Sequence, residues 1–541
     1  MSKQIFPHLS NVQICKNFLQ YEYLHTGLFR FFTNLFILKV CNLRLNFFLK
    51  ICFLLSAVFA LSEHQGASQA NRRTMVLTLD EVIESARVQS PDALLAKHQY
   101  RQSYWQHRTY EAGLRPGISL QATVPDLNRS IESYTLPDGT ERFIERNIMS
   151  SMANLSVNQS VGLTGGEIFM NTSLYRIDNL EEGTSSYSTT PVNIGFRQPL
   201  FGFNPYKWQK MVEPLRFEEA KQKYIEDMER ISSRAVELFF DLALAQINLE
   251  IARFNYDNTG NLLKVAEERH RIGAIGKNQL LQMELSHLNA GTDLNDAKVD
   301  VEHRRARLRS FLGFNETAEL ELIIPEEIPY VSIEAQRAVS MARENNPEML
   351  NYERLIIEAE RDVAEAEAAR GFQADLFAVY GLSNTADEFR YAYRDPEVSQ
   401  RLRIGIEIPI LDWGLRRGRH HMAQSRQEVI RTQVERSITD FEQDVYLEIM
   451  RFNQQHEQME TAAKADTIAQ ESYDMSRERF MIGQVSAFEL NSAQADRDRA
   501  RRGYITAIRN FWRNFYNVRR LTLYDFIHEQ TLEEDFDDLL L

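Results

Sequence analysis

Cysteine is almost missing from this chain: 541 residues hold three, Cys15, Cys41 and Cys52, all within the first 52. Everything after them is free of thiols, which removes thiol catalysis and cysteine-based zinc sites from that stretch. It also suits export into an oxidising compartment. Long hydrophobic runs are absent too. After residue 70 no apolar stretch approaches the roughly 20 residues that a spanning helix needs, so any membrane crossing has to be made by strands. Positive charge is in deficit: the formal net charge is -14, and no basic stripe offsets the acid, which excludes nucleic acid as the main partner. Walker A loops, nucleotide-binding glycine fingerprints and H-E-x-x-H are missing as well. His420 and His421 are adjacent and cannot share one helix face. In an Arg-rich stretch (Arg416, Arg417, Arg419) they read as a basic interface patch, and the scattered methionines give no support for copper or silver. No catalytic constellation and no cofactor follow; the reading is of a non-enzyme.

What is present begins with a leader. Arg44 and Lys50 precede an apolar run from Ile51 to Leu61, and small residues follow at Ala67, Ser68 and Ala70. Residues 1–70 read as a targeting segment, with cleavage sites at Val58-Phe59-Ala60 and Ser68-Gln69-Ala70. The first 42 or so read either as a start assigned too far upstream or as a Phe-rich anchor.

An internal duplication organises the rest. Ser90-Pro91-Asp92 matches Asn346-Pro347-Glu348, 256 residues later. Farther on, Gln198-Pro199-Leu200-Phe201 matches Ile408-Pro409-Ile410-Leu411, and Arg271-Ile272-Gly273 matches Met481-Ile482-Gly483, both at an offset of 210. The first copy therefore carries 46 additional residues between about Pro116 and Pro199. Repeat 1 spans 71–325, with strands at about 117–198 and a helical hairpin at about 206–312. Repeat 2 spans 326–527, with strands at about 373–409 and a hairpin at about 414–519. An acidic tail, 528–541, follows and reads as a solvated terminus, with contact to a partner protein as the lesser alternative.

The long helix of repeat 1, Val212 to about His270, would extend roughly 90 Å at 1.5 Å per residue. Leu238, Leu242, Ala245, Leu249, Ala252, Tyr256, Thr259, Leu263, Ala266 and His270 are spaced 4-3-4-3 along it, a heptad seam with several small residues. Repeat 2 keeps the spacing less strictly through Phe452, Met459, Ala462, Ala469, Tyr473, Ser476 and Phe480. The break at Gly273–Gly276 implies an antiparallel helical hairpin. The strands alternate: Ile118, Leu120, Ala122 and Val124 against Ser119, Gln121 and Thr123, and Leu402, Ile404 and Ile406 against Arg403, Gly405 and Glu407. That is the period of a membrane barrel wall. Two or so strands per copy cannot close a barrel, and open edges do not survive in lipid. Several chains must share one barrel.

With these features in place the chain resembles the outer-membrane efflux protein family (TolC-like). The matching residues are Gln198-Pro199-Leu200-Phe201-Gly202 and Ile408 through Gly414 at the strand–helix junctions (Pro199, Gly202, Pro409, Gly414). Arg269-His270-Arg271-Ile272-Gly273 and Arg479-Phe480-Met481-Ile482-Gly483 match at the helical tips. The resemblance covers about 75 to 527. It implies an α+β membrane protein with duplicated helix–strand–strand–helix repeats. Three copies would form a 12-stranded barrel, four strands each, continued by an α-helical barrel roughly 100 Å long. It further implies an outer-membrane location in a Gram-negative bacterium with the tunnel in the periplasm. The partners implied are a periplasmic adaptor and an inner-membrane transporter of RND, ABC or MFS type, in efflux or type I secretion. The tip would be the gate, with Gly273, Gln279, Arg479, Phe480, Gly483 and Glu489 as its candidates. Threefold symmetry would make Glu489 a ring of carboxylates that attracts cations; a solvated helix-start glutamate is the other reading. Arg271 and Arg479 read as surface ion pairs. The 46-residue insertion holds a hairpin around Gly165-Gly166, which either extends the barrel hairpin outside the cell or adds strands below the membrane; were it to span, the trimer would have 18 strands in place of the favoured 12. The rival to a duct is a periplasmic coiled-coil scaffold or surface adhesin without a pore.

Overall fold

The computed structural model describes residues 74–314, 319–325 and 328–540; the leader and its three cysteines lie outside them. The same order of elements occurs twice. The first half runs β1 (Thr74–Thr78), α1 (Leu79–Gln89), α2 (Pro91–Gly113), strands β2 (Gly117–Thr135), β3 (Glu141–Val161), β4 (Gly166–Asn179) and β5 (Thr184–Leu200), then α3 (Pro205–Arg271) and α4 (Lys277–Leu312). The second runs β6 (Glu319–Ile323), α5 (Ala335–Asn345), α6 (Pro347–Arg370), β7 (Gln373–Ala386), β8 (Glu397–Glu407), α7 (Leu415–Met481) and α8 (Ala487–Thr522). Both long helices have 67 residues and both returning helices 36. Short β9 (Tyr524–Asp525) and β10 (Gln530–Thr531) follow.

Local chemistry sets the boundaries. The repeated x-Pro-acid triplet starts a helix in each half. Ser90 Oγ accepts from Ala93 N at 3.1 Å and Asn346 Oδ1 from Glu348 N at 3.0 Å, with proline in the first turn, where its missing N–H costs nothing. At the far end each long helix stops in the same way. Gly273 and Gly483 take φ of +76° and +84°, and the next residue's N–H closes back on Arg269 O and Arg479 O at 2.8 and 2.9 Å. This six-to-one closure needs a left-handed residue, which glycine supplies without strain.

Four helices lie abreast at every level. Near the sheet the packing order is α2–α3–α6–α7, tied by Arg354 to Glu219 (2.7 Å) and Arg216 to Glu358 (3.0 Å). Beyond the midpoint it is α4–α3–α8–α7. The heptad seam of α3 is the packed one: Leu238, Leu242, Ala245, Ala252, Thr259 and Ala266 are buried. Tyr256 is exposed at its edge and stacks on His287 at 4.7 Å. The long helices are thickest in core where short pieces wrap them. Phe239 and Phe240 pack with α1 and β6, and Ile449 and Phe452 pack with α5 and α8.

The sheet departs from the four strands that the resemblance implies and takes the alternative in which the insertion adds strands. Instead of four strands it has six, ordered β2-β3-β4-β5-β7-β8, antiparallel throughout. The additional residues of the first half supply two full strands, paired in register with their neighbours and joined by the turn at 162–165. The tail is the second correction. Rather than floating in solvent, it alternates: Glu533, Asp535 and Asp537 are exposed, while Phe536 packs on Tyr100 at 5.1 Å and Glu534 pairs with Arg87. Arg101 donates to Leu540 O at 2.7 Å. Two aliphatic residues and a phenylalanine among the acids are enough to dock it.

Candidate functional site

Two regions carry functional geometry, the sheet and the opposite tips. In the sheet, paired residues share a face, so the register sorts side chains. One row reads Ser119–Ser156–Asn171–Asn193–Gly381–Ser399 across all six strands. The row one residue along, on the other face, reads Ile118–Val157–Met170–Ile194–Tyr380 before ending on Gln400, and Gln159–Ile168–Phe196–Ala378–Leu402 follows it, apolar but for the glutamine at its β3 end. The apolar face is uncovered: Ile118 and Leu402 are 73% and 72% exposed. Exposed apolar rows that run side by side mark a surface that meets a membrane or another protein. Aromatic residues flank it. Phe201, Phe372 and Trp413 lie at the helix-proximal end, and Tyr187, Phe389, Tyr391 and Tyr393 at the other, where Phe389 meets Tyr187 at 5.9 Å. Aromatic girdles at both edges of an apolar band are the marks of a lipid-facing wall.

The polar face has a feature that the sequence reading missed. Phe169 and Phe377 stack at 5.8 Å over Gly195, where any Cβ would strike Phe169. Arg403 and Arg197 approach the Phe377 ring at 5.3 and 5.9 Å. The signal was two phenylalanines in the polar phase of their strands. At the strand–helix junctions, Pro199 pairs with Asp375 at the end of β5, and Gly202 follows Phe201, which takes φ +61°. Pro409 follows β8. Gly414, φ +87°, starts α7, where Asp412 accepts from Gly414 N and Arg416 N at 3.0 Å each. Those two amide bonds hold the Asp412 carboxyl below its ordinary range.

At the tips, Phe480 is buried in a small core with Leu262, Ala266, Met283, Tyr473 and Leu490, which joins the two hairpins. Arg269 of α3 crosses to α7: it donates to Phe480 O at 3.2 Å, its guanidinium lies 6.0 Å from the Phe480 ring, and it fills the space beside Gly483. Gln279 and Glu489 are both exposed third residues of their helices, and Glu489 N donates to the capping Ser486 Oγ at 3.3 Å. Arg271 pairs with Glu268 of its own helix, and Arg479 is exposed. About three to five helical turns from the tips, a polar cluster missed in the sequence ties the hairpins again. Asn258 donates to Tyr473 Oη at 2.8 Å. Asn255 donates to Asp498 at 2.6 Å and accepts from Arg497 at 3.0 Å. Arg497 lies between Tyr473 (4.4 Å) and Phe254 (4.7 Å). Burial pushes the Tyr473 hydroxyl up. His420 is buried and His421 is near Gln424; among the described residues no His, Cys, Asp and Glu group is spaced to hold a metal ion. No helix among them is long and apolar enough to cross a membrane.

Residues 338–522 match the model of the outer membrane efflux protein family. The outer-membrane channel CmeC of Campylobacter jejuni superposes with a TM-score of 0.62 at 14% identity, over 85% of this chain and 88% of that one. This is the fold of the outer-membrane efflux channels. CusC matches it at a TM-score of 0.58 and 15% identity, over 85% and 95% of the two chains. VceC of Vibrio cholerae does so at 0.57 and 12%, over 82% and 95%. No curated protein matches the sequence. Identities this low carry the efflux-channel fold and leave the tip residues of this chain to be judged on their own geometry.

Proposed function

We propose that this chain is one protomer of an outer-membrane export duct, a homotrimer whose strands line a pore and whose helices continue it through the periplasm. The observation that carries the reading is the sheet: one uncovered apolar face bounded by aromatics, one polar face, and two unpaired edges that lipid would not tolerate. Family resemblance over 338–522 supports it. The duct is passive and not an enzyme; opening is driven by a periplasmic adaptor and an inner-membrane transporter of RND, ABC or MFS class at the tips. Arg269 and Phe480 hold the paired hairpins closed, while Gln279 and Glu489, at equivalent exposed positions, face the entrance or the adaptor.

Fractionation and reconstitution test this. The mature chain should sediment with outer membranes, run as a heat-sensitive trimer in detergent, and conduct ions in planar bilayers, with Arg269→Ala raising the open fraction. A water-soluble monomer without conductance would overturn the proposal.

A further inference from the structure

We infer that the trimer closes as an 18-stranded barrel, β8 of each copy pairing with β2 of the next, so that the membrane section is as wide as the helical tube beneath it. The inference rests on the export-duct reading and adds to it the strand count, the seam and the bore. Three observations carry it. First, the two additional strands are built like the rest. The polar row through Ser156 and Asn171 and the apolar row through Val157 and Met170 continue without a break from β2 to β5. A hairpin lying outside the membrane would have no reason to keep an apolar face in phase with its spanning neighbours. Second, the edges match. β2 and β8 are exposed along nearly their whole lengths. They are the first and last of six alternating strands, so they run in opposite senses, as an antiparallel seam requires. Their apolar phases, Ile118–Leu120 and Leu402–Ile404, lie on the same side of the sheet, so joining them extends both faces. A second copy supplies that edge; an open edge in hydrocarbon leaves a column of backbone groups unpaired.

Third, the arcs agree. Four helices abreast at about 9 Å separation cover roughly 36 Å of circumference. Six strands about 4.8 Å apart and tilted by about 40° cover about 38 Å. Four strands would cover only about 25 Å and would need the junctions at Gly202 and Gly414 to draw inward. With six, the strands continue the helical wall, and the membrane section adds no constriction of its own. Passage is then decided at the tips, and cargo is limited by the helical bore.

Single cysteines test this in vesicles, read with a membrane-impermeant maleimide and a lipid-soluble one, the parent chain serving as blank. Val157→Cys and Met170→Cys probe the additional strands, Ile194→Cys and Leu402→Cys the others, and Asn171→Cys the polar face. For 18 strands, the first four lose labelling by the impermeant reagent and keep it with the lipid-soluble one, while Asn171→Cys labels from water. If 157 and 170 label from water while 194 and 402 stay protected, the strand count is wrong and the duct stands. Labelling of all four from water would sink both. Should the 157 and 170 variants fail to trimerise, electron cryomicroscopy of the parent trimer in nanodiscs decides: 18 strands around the pore uphold the inference and 12 overturn it.

Discussion

Gly483 is the residue on which the tip turns. Its φ of +84° is unfavourable for a side chain, and Arg269 fills the space where a Cβ would go. Gly483→Ala should therefore cost about 1–2 kcal/mol locally and release Arg269 from Phe480 O, seen as faster amide exchange over 262–283 and 473–490 with little change in the melting temperature of the trimer. Asp525 is the second residue with a clear consequence. Burial raises its carboxyl, but hydrogen bonds from His528 and Ile527 and the Arg519 guanidinium at 2.7 Å outweigh that and hold it below its ordinary value. A depressed carboxyl contributes stability that is complete above its unfolded value of about 3.9 and lost as pH falls through the folded one. Asp525→Asn should flatten the acid side of a melting-temperature-against-pH curve below about pH 4 and leave its neutral-to-alkaline side parallel to the parent's. Beside it Glu229 is nearly fully buried between Arg87 (3.0 Å) and Arg519 (2.9 Å). Burial pushes the neighbouring Tyr516 hydroxyl up to about 12. Glu229→Ala should cost about 3–5 kcal/mol in a denaturant titration, since two guanidiniums would lose their shared partner.

Among the elements, the strands give the sharpest contrast. Leu402→Arg places a charge on the apolar face and should cost about 2–4 kcal/mol in folding into bilayers if it sits near the midplane. Arg403→Leu, one residue along on the polar face, should fold and assemble like the parent and shift ion selectivity. The helices were easy to read in the sequence, because a 4-3 spacing with glycines at its end leaves few alternatives. Sequence reading put the long helix of repeat 1 at about 212–270, and it runs Pro205–Arg271. Six strands were harder. β3, unlike β8, has serine, asparagine and methionine in both phases (Ser150 and Ser151, Asn147 and Asn154, Met149 and Met152), so its alternation emerges only once the register with β2 and β4 is known. The Asn255–Arg497–Asp498–Tyr473 cluster was hidden for another reason: residues more than 200 positions apart meet only after two hairpins pack.

For the molecule as a whole, the two halves together set four helices abreast, two from each, under one sheet whose strand share is unequal, four from the first half and two from the second. The family pattern over the second half alone would not have revealed this, since the departure lies entirely in the first. Unequal shares also leave one hairpin taller than its neighbours. β3 pairs with β4 only from Ile148 downward, so β2 and β3 continue for about 20 Å above that level. They are stitched there by Arg146 to Glu132 at 3.1 Å and by Arg129 to Glu145. Their turn is fastened by Leu136 N to Thr140 O at 2.8 Å and Thr140 Oγ1 to Asp138 at 2.7 Å. In an export duct that spur would stand out beyond the cell surface, making it the part of the chain most open to immune recognition. Antibodies raised against a peptide covering Leu136–Thr140 should stain living cells, whereas antibodies against 273–276 should stain only cells whose envelope has been breached.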